Sequence, residues 1–507
     1  MGKKIEKVLV ANRGEIAVRV MLGLKEMGIR TVAIYSDVDR SALHVLTADE
    51  AYPVGPAPAA QSYLVAEKII QAAQEAGADA IHPGYGFLSE NAGFSRAVEA
   101  AGLVFIGPTA ESIELMGDKL ASRRKMLTSG VPVIPGTEEA VADAAAAMAA
   151  AKDIGYPVLL KAAAGGGGKG MRVVHGEEEI DTALRQTMGE AKSAFGNDTI
   201  FVERFVEDPK HIEVQVLGDG RGHAIHMFER ECSVQRRHQK VIEESPSPSL
   251  TEELRQEICA AAVRTAEAID YRGAGTVEFI LSPKGEFFFL EMNTRLQVEH
   301  PITEMVTATD LVRAQVEIAR GNGIPYEQDD LRQHGWAMEF RLYAENPAAN
   351  FAPSIGRITA MTPPSGPGIR LDSGIYEGFD VPIHYDPILA KLVVWAETRE
   401  LCVARSRRAL RDFTLHGPVH NIPFHQWALE QAPFLDGSYT TKFVEEYFDA
   451  TSFQSPLPDA EMRALLSAAA LFEETRRQEA GAPSGTNGST SSAWGLAARR
   501  GMTNQRS

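Results

Sequence analysis

From Glu291 onward the chain places a polar side chain at every second position: Glu291, Asn293, Arg295, Gln297 and Glu299, with Met292, Leu296 and Val298 in between. Successive side chains in extended backbone point to opposite sides. This spacing therefore predicts one face carrying two acids, two amides and a guanidinium. A solvent-facing edge strand alternates as well, but Lys and Thr are the usual fillers there. The row also continues an acidic hairpin. Gly275–Leu281 and Glu286–Glu291 read as strands joined by Ser282-Pro283-Lys284-Gly285, a turn sequence. Pairing Leu281 with Glu286 puts Glu278 opposite Phe289, with Glu291 as its diagonal neighbour on the same face. Two carboxylates in an apolar hairpin repel each other unless a cation lies between them.

A second feature identifies the chemistry beside those acids. Ala164-Gly165-Gly166-Gly167-Gly168-Lys169-Gly170-Met171 lies between two strand patterns, Val158–Lys161 and Met171–Val174. This is not a Walker A loop, because Gly170 follows Lys169 and a strand follows the loop instead of a helix. Four consecutive glycines are costly to order, so a plain turn has little use for them. A flap whose backbone N–H groups close over phosphates fits better. Lys161, on the strand entering the loop, is a candidate phosphate ligand. All-oxygen ligation by Glu278 and Glu291 next to phosphates points to Mg²⁺ or Mn²⁺. Arg295 offers a bidentate fork for a small oxyanion, and Glu299 a general base whose pKa is set by that Arg and by desolvation.

Residues 7–110 alternate short apolar strands with amphipathic helices, the pattern of a parallel sheet with crossover helices. Strands are expected at Val8–Ala11, Thr31–Tyr35, Ala80–His82 and Val104–Ile106, with a helix over Ile16–Met27. Asp37 follows the second strand as a ribose-binding acid would. The first turn, Ala11-Asn12-Arg13-Gly14-Glu15, nevertheless lacks G-x-G-x-x-G, which argues against a dinucleotide site. Further on, helices are expected over Glu138–Lys152 and over Leu250–Ala268, the latter opened by the capping box Ser249-Leu250-Thr251-Glu252. The net charge of −17 over 507 residues argues against nucleic-acid and anionic-membrane partners. It also makes a local cation cluster, Gln235-Arg236-Arg237-His238-Gln239-Lys240, more informative. Cys232, Cys259 and Cys402 are far apart and show no metal-ligand spacing, and Cys232 reads as a packed thiol. No charged-then-apolar segment precedes Val8 and no apolar run approaches about 18 residues, so a cytoplasmic protein is expected.

Taken in order over residues 5–450, these motifs resemble the biotin carboxylases of the ATP-grasp superfamily. The resemblance is carried by Ala11–Ala17, His82–Asn91, Gly117-Asp118-Lys119, Lys161 with the glycine loop, Gln235–Lys240, Glu291–Pro301 and Tyr385-Asp386-Pro387. It implies an α/β fold, α+β in parts. A Rossmann-like N-terminal domain (1–117) would precede an ATP-grasp domain (118–335) with a mobile glycine-rich lid at about 136–205. A mixed C-terminal domain (336–449) and an extension (450–507), disordered from about 480, would follow.

The resemblance also implies roles. Lys119, Lys161, Gly165, Gly166, Gly167, Gly168, Glu203 and His211 would bind ATP, with the backbone of Arg204, Phe205 and Val206 on the adenine and His238 near the nucleotide. Glu278, Glu291 and Asn293 would hold two metal ions, the two acids also serving ATP. Lys240, Arg295, Gln297 and the Val298 backbone would hold bicarbonate, and Glu299 would take its proton. Bicarbonate would attack the γ-phosphate to give carboxyphosphate, which yields CO₂ and phosphate. The phosphate would deprotonate biotin, and Arg341 would stabilise the biotin enolate.

Ala164 stands where some members have Gly. The chain lacks Ala-Met-Lys-Met, the family's biotinylation motif, and the length for a carboxyltransferase domain. The expectation is therefore a separate chain that forms a homodimer and works with a biotin carboxyl carrier protein and a carboxyltransferase. Acetyl-CoA, and so fatty acid biosynthesis, is the favoured destination, with propionyl-CoA and pyruvate as alternatives. A different ATP-grasp acyl-phosphate ligase is the nearest rival, and a regulatory nucleotide-binding protein is a more distant one.

Overall fold

A computed structural model describes residues 4–163, 170–453 and 459–481. Ala164, the glycine flap Gly165–Gly168 with Lys169, and the tail beyond 481 lie outside the described residues. Met1–Ala450 and Thr451–Ser507 are two compact units. In the second, the described helix is Asp459–Gly481.

The N-terminal alternation produces a five-stranded parallel sheet. Its strands are β1 (Lys7–Val10), β2 (Arg30–Ser36), β3 (Glu50–Gly55), β4 (Ala80–His82) and β5 (Val104–Phe105), in the order β3-β2-β1-β4-β5. The helix Gly14–Glu26 buries Ile16, Ala17, Val20, Met21 and Leu24 on one face, the 3.6-residue spacing its sequence carries. It ends at Met27, and Gly28 takes φ +72°, a conformation that favours glycine.

Two helix starts differ from the sequence reading. Asp143 caps the alanine-rich helix through the Ala146 N–H, so the helix spans Ala144–Ile154 and leaves out Glu138–Ala142. Thr251, not Ser249, caps the helix Glu252–Glu267. The Ser249 hydroxyl instead donates to the buried Glu231 carboxylate at 2.9 Å, which removes it from the capping box.

Strands β6 (Val158–Ala162), β7 (Met171–Val174) and β8 (Ile200–Arg204) form a three-stranded antiparallel sheet ordered β7-β6-β8. The Lys161↔Met171 pairing closes the base of the glycine loop. An eight-stranded sheet carries most of the polar chemistry. It begins with β9 (Lys210–Asp219), β10 (Ala224–Arg236), β11 (Gln239–Ser245), β12 (Arg272–Leu281), β13 (Phe287–Asn293) and β14 (Trp336–Tyr343). The order is β13-β12-β9-β10-β11-β14, followed by Ile388–Ala396 and Ile369–Ser373. Hydrogen bonding runs without a break from β11 into β14, so the chain segment starting at Trp336 extends the same sheet. Cys232, Cys259 and Cys402 are all buried and free. Burial pushes the Cys232 thiol well up, consistent with a packed group. Among the described residues no helix is long and apolar enough to cross a membrane.

Candidate active site

The acidic hairpin forms, but in a different register. Leu281 pairs with Phe287, Ile280 with Phe288 and Phe279 with Phe289; Glu278 then pairs with Glu291. The turn is longer than expected because Ser282 N–H donates to the Glu286 carbonyl at 2.8 Å. Leu290 is the extra residue of a β-bulge, and it brings the two carboxylates directly opposite each other. Glu291 is an exposed position of β13, yet the protein atoms crowded around its carboxyl and then the Glu278 charge push it up. Burial opposes the charge on Glu278, yet Lys240 and His211 hold it below the usual carboxylate range. His211 Nε2 lies 3.1 Å from Glu278 Oε2, and Asn293 Nδ2 donates to Glu278 Oε1 at 2.8 Å. Two facing carboxylates and an amide oxygen fit a hard divalent cation such as Mg²⁺ or Mn²⁺.

The extended row does not continue to Glu299. Strand β13 ends at Asn293, where Glu90 accepts from Thr294 N–H at 3.0 Å and from Arg295 Nε at 2.8 Å. The backbone then turns, and the helix His300–Thr307 begins directly after Glu299. The polar groups nevertheless stay together. Arg295 donates to Asn293 Oδ1 at 2.9 Å and to Gln297 Oε1 at 2.7 Å, and Gln297 Nε2 reaches Glu278 Oε1 at 3.2 Å.

The cation patch splits. Arg237 and His238 form the tip of the β10–β11 hairpin at φ +50° and +65°, a left-handed pair that Asn-Gly usually fills. His238 is exposed there. Lys240 points inward and donates to Glu213, to Glu278 at 2.7 Å and to Glu299 at 2.8 Å. Burial opposes its charge, but Glu213, Glu278 and Glu299 together hold the ammonium well above the usual lysine range.

Glu299 is fully buried and doubly paired, with Oε1 on Lys240 and Oε2 on Arg341 Nη2 at 2.9 Å. The arginine that sets its charge is thus Arg341, not Arg295, whose own carboxylate is Glu90. Although burial disfavours its charge, Lys240 and then Arg341 hold Glu299 well below the usual carboxylate range. Arg341 Nε also donates to Glu243 at 2.6 Å.

Lys119, Lys161 and Glu203 line one cavity with Arg123, Phe201 and Leu290. Glu203 lies 3.6 Å from Lys161 and accepts from Arg123 at 3.3 Å. Burial and the neighbouring Lys161 push the Lys119 ammonium down. At the end of β8 the N–H groups of Arg204 and Phe205 donate to the Pro135 and Pro157 carbonyls, and among the described residues the Val206 N–H meets no backbone acceptor.

Sequence reasoning gave no role to Glu90, which it named only within the His82–Asn91 motif, and passed over Arg123, Glu213, Arg230 and Glu243. Arg230 is fully buried and ties Glu213 (2.5 Å), Gln215 (2.8 Å), Thr303 (2.9 Å) and Thr276 (3.0 Å) under the site. A signal was available for Glu213: His211, Glu213 and Gln215 alternate along β9 and so share the face of His211.

Comparison with known proteins gives three family matches along the chain. Residues 4–113 match "Biotin carboxylase, N-terminal domain", 118–326 "Carbamoyl-phosphate synthase L chain, ATP binding domain", and 339–446 "Biotin carboxylase C-terminal domain". Biotin carboxylase 1 of Bacillus subtilis is 48% identical over 444 residues, covering 87% of this chain and 99% of that protein. A pyruvate carboxylase subunit from Methanothermobacter thermautotrophicus is 49% identical over 460 residues, covering 91% of this chain and 92% of that protein. A crystal structure of the biotin carboxylase domain dimer of Hydrogenobacter thermophilus 2-oxoglutarate carboxylase, in complex with MgADP, ADP and bicarbonate, superposes with a TM-score of 0.85. It is 47% identical and covers 89% of this chain and all of that one.

Proposed function

The chain belongs to the biotin carboxylase family, and from that premise we propose how its residues divide the work. It is an ATP-dependent ligase that runs the first half-reaction of a biotin-dependent carboxylase. The observation that carries our residue assignment is Lys240, whose single ammonium touches Glu278 of the facing acid pair and Glu299 beyond it. A nucleotide site and an oxyanion site therefore meet at one cation.

In this reading Lys119, Lys161 and Glu203 bind ATP, with Val206 as backbone donor and the flap Gly165–Gly168 covering the phosphates. His211 and His238 assist at the nucleotide. Glu278, Glu291 and Asn293 hold Mg²⁺ or Mn²⁺, which neutralises charge on the phosphates when bound. Bicarbonate lies against Lys240, Arg295, Gln297 and the Val298 backbone. As the anion takes up Lys240, the ammonium that Glu299 already shares with Glu213 and Glu278 supports it less, the Glu299 pKa rises, and the carboxylate accepts the bicarbonate proton. Bicarbonate oxygen then bonds to the γ-phosphorus as the β–γ P–O bond breaks and ADP leaves. The resulting carboxyphosphate divides into CO₂ and phosphate, and the phosphate takes the biotin N–H proton. Arg341 stabilises the biotin enolate oxygen while its nitrogen bonds to CO₂.

Biotin arrives on a separate carrier protein, and the chain works as a homodimer in the cytoplasm with a carboxyltransferase. The match across almost the whole length of a protein named biotin carboxylase and of one named as a carboxylase subunit supports a separate chain. The acceptor we favour is acetyl-CoA, with propionyl-CoA and pyruvate as alternatives that co-purification of the native carboxyltransferase distinguishes. The domain limits we assign are 1–117, 118–335 and 336–449.

The test is ATP hydrolysis in bicarbonate-depleted buffer, with bicarbonate and free biotin added back separately and together. Turnover that rises with both supports the proposal. Turnover indifferent to both would point to the rival acyl-phosphate ligase.

A further inference from the structure

The turn between Gln297 and Glu299 is gripped from behind by two buried side chains that the reaction scheme does not use. His300 is fully buried, and its Nδ1 lies 2.7 Å from the Gln297 carbonyl oxygen. A carbonyl only accepts, so Nδ1 carries a proton. Burial and the cations Lys391, Arg19 and Arg370 hold the ring's pKa well below the usual histidine range, which keeps it neutral with that proton on Nδ1. Lys391, also fully buried, donates to the next carbonyl, that of Val298, at 2.9 Å. Its charge is balanced by Glu15 at 3.1 Å and Asp372 at 3.8 Å.

The sheet explains why these two groups meet the same turn. Lys391 pairs in register with Arg341 on β14, so two cations stand side by side beneath it. Arg341 takes the Glu299 carboxylate and Lys391 takes the Val298 carbonyl. His300 opens the helix His300–Thr307 and reaches back over one turn. In a trans peptide C=O and N–H point in opposite directions. Drawing the Gln297 carbonyl toward His300 therefore turns the Val298 N–H away from the buried side. Among the described residues that N–H has no protein acceptor. Gln297, whose side chain reaches Glu278, marks the same stretch as facing the site.

We infer that His300 and Lys391 are positioning residues for the anion: by pinning the Gln297 and Val298 carbonyls they aim the Val298 N–H at bicarbonate. Neither side chain touches the reacting atoms. The inference rests on the bicarbonate site proposed above.

The test compares His300→Leu with His300→Asn in the full-length protein, because an Asn side-chain N–H can occupy the place of Nδ1–H. His300→Leu is expected to raise the bicarbonate KM at least tenfold while leaving the ATP KM within twofold. His300→Asn should bring the bicarbonate KM back to within about threefold of the wild type, the gain tracking one restored hydrogen bond. If His300→Leu does not fold, the charge-balanced Lys391→Met/Glu15→Gln double variant carries the same comparison through the second carbonyl. An unchanged bicarbonate KM, an equal rise in both KM values, or failure of Asn to improve on Leu overturns the inference. Wild-type turnover that ignores bicarbonate is a separate outcome, which overturns the functional proposal itself and the inference with it.

Discussion

Glu278 and Glu291 stand directly opposite each other on adjacent strands, brought there by the bulge at Leu290. Although Glu291 is an exposed position, the protein packed around its carboxyl and the facing Glu278 charge both disfavour its ionised form. Glu291→Gln is therefore expected to raise the thermal midpoint of the metal-free protein at neutral pH. It should also lower Mg²⁺-dependent ATP turnover by about a hundredfold or more. Melting curves with EDTA and with Mg²⁺, beside steady-state rates, check both halves. A lower midpoint with turnover retained would remove Glu291 from the metal site.

Glu299 contacts Lys240 and Arg341 but not the cavity lined by Lys119, Lys161 and Glu203. Glu299→Gln should reduce kcat by about 10²–10⁴-fold, the range for loss of a general base. Equilibrium nucleotide binding should stay within about threefold of the wild type. Retained turnover would refute the base assignment.

Arg295 is held by Glu90 at 2.8 Å, a contact between residues far apart in the sequence. Glu90→Gln keeps the shape but removes the charge that orients the guanidinium. The bicarbonate KM is expected to rise about tenfold, since small displacements of a positioning group cost on that scale. An ATP KM that rises in parallel would show Glu90 acting on the whole fold instead.

Glu243 is pushed up to about 7 by burial, against the pull of Arg341. A carboxyl raised in the folded state contributes stability below its ordinary value of 4.5 and loses it as pH climbs toward 7. Wild-type protein should thus lose stability relative to Glu243→Gln between about pH 5 and 7, and the gap should level off above that. Denaturation midpoints across this range decide it; parallel curves for the two proteins would contradict the assignment.

The chemistry-bearing residue types were legible because chemistry dictates identity at short spacing. Glu278, Glu291 and Asn293 fall together, as do Arg295, Gln297 and Glu299. The parallel N-terminal sheet followed from its alternation of strands and helices. Their exact pairings did not follow. An extra residue in the Ser282–Glu286 turn and the Leu290 bulge changed the register by amounts that period-2 alternation cannot encode.

What the sequence determined by itself was the inventory: an acid pair, a row of polar groups and a run of cations ending at Lys240. The tertiary structure alone decided the partners. Glu299 answers to Arg341 and Lys240, Arg295 to Glu90, and the carbonyls of Gln297 and Val298 to His300 and Lys391. Apart from His300, those partners come from distant segments brought together by sheet order and burial. A buried charge or carbonyl must find a donor or acceptor close at hand, and only the folded chain determines which one is near.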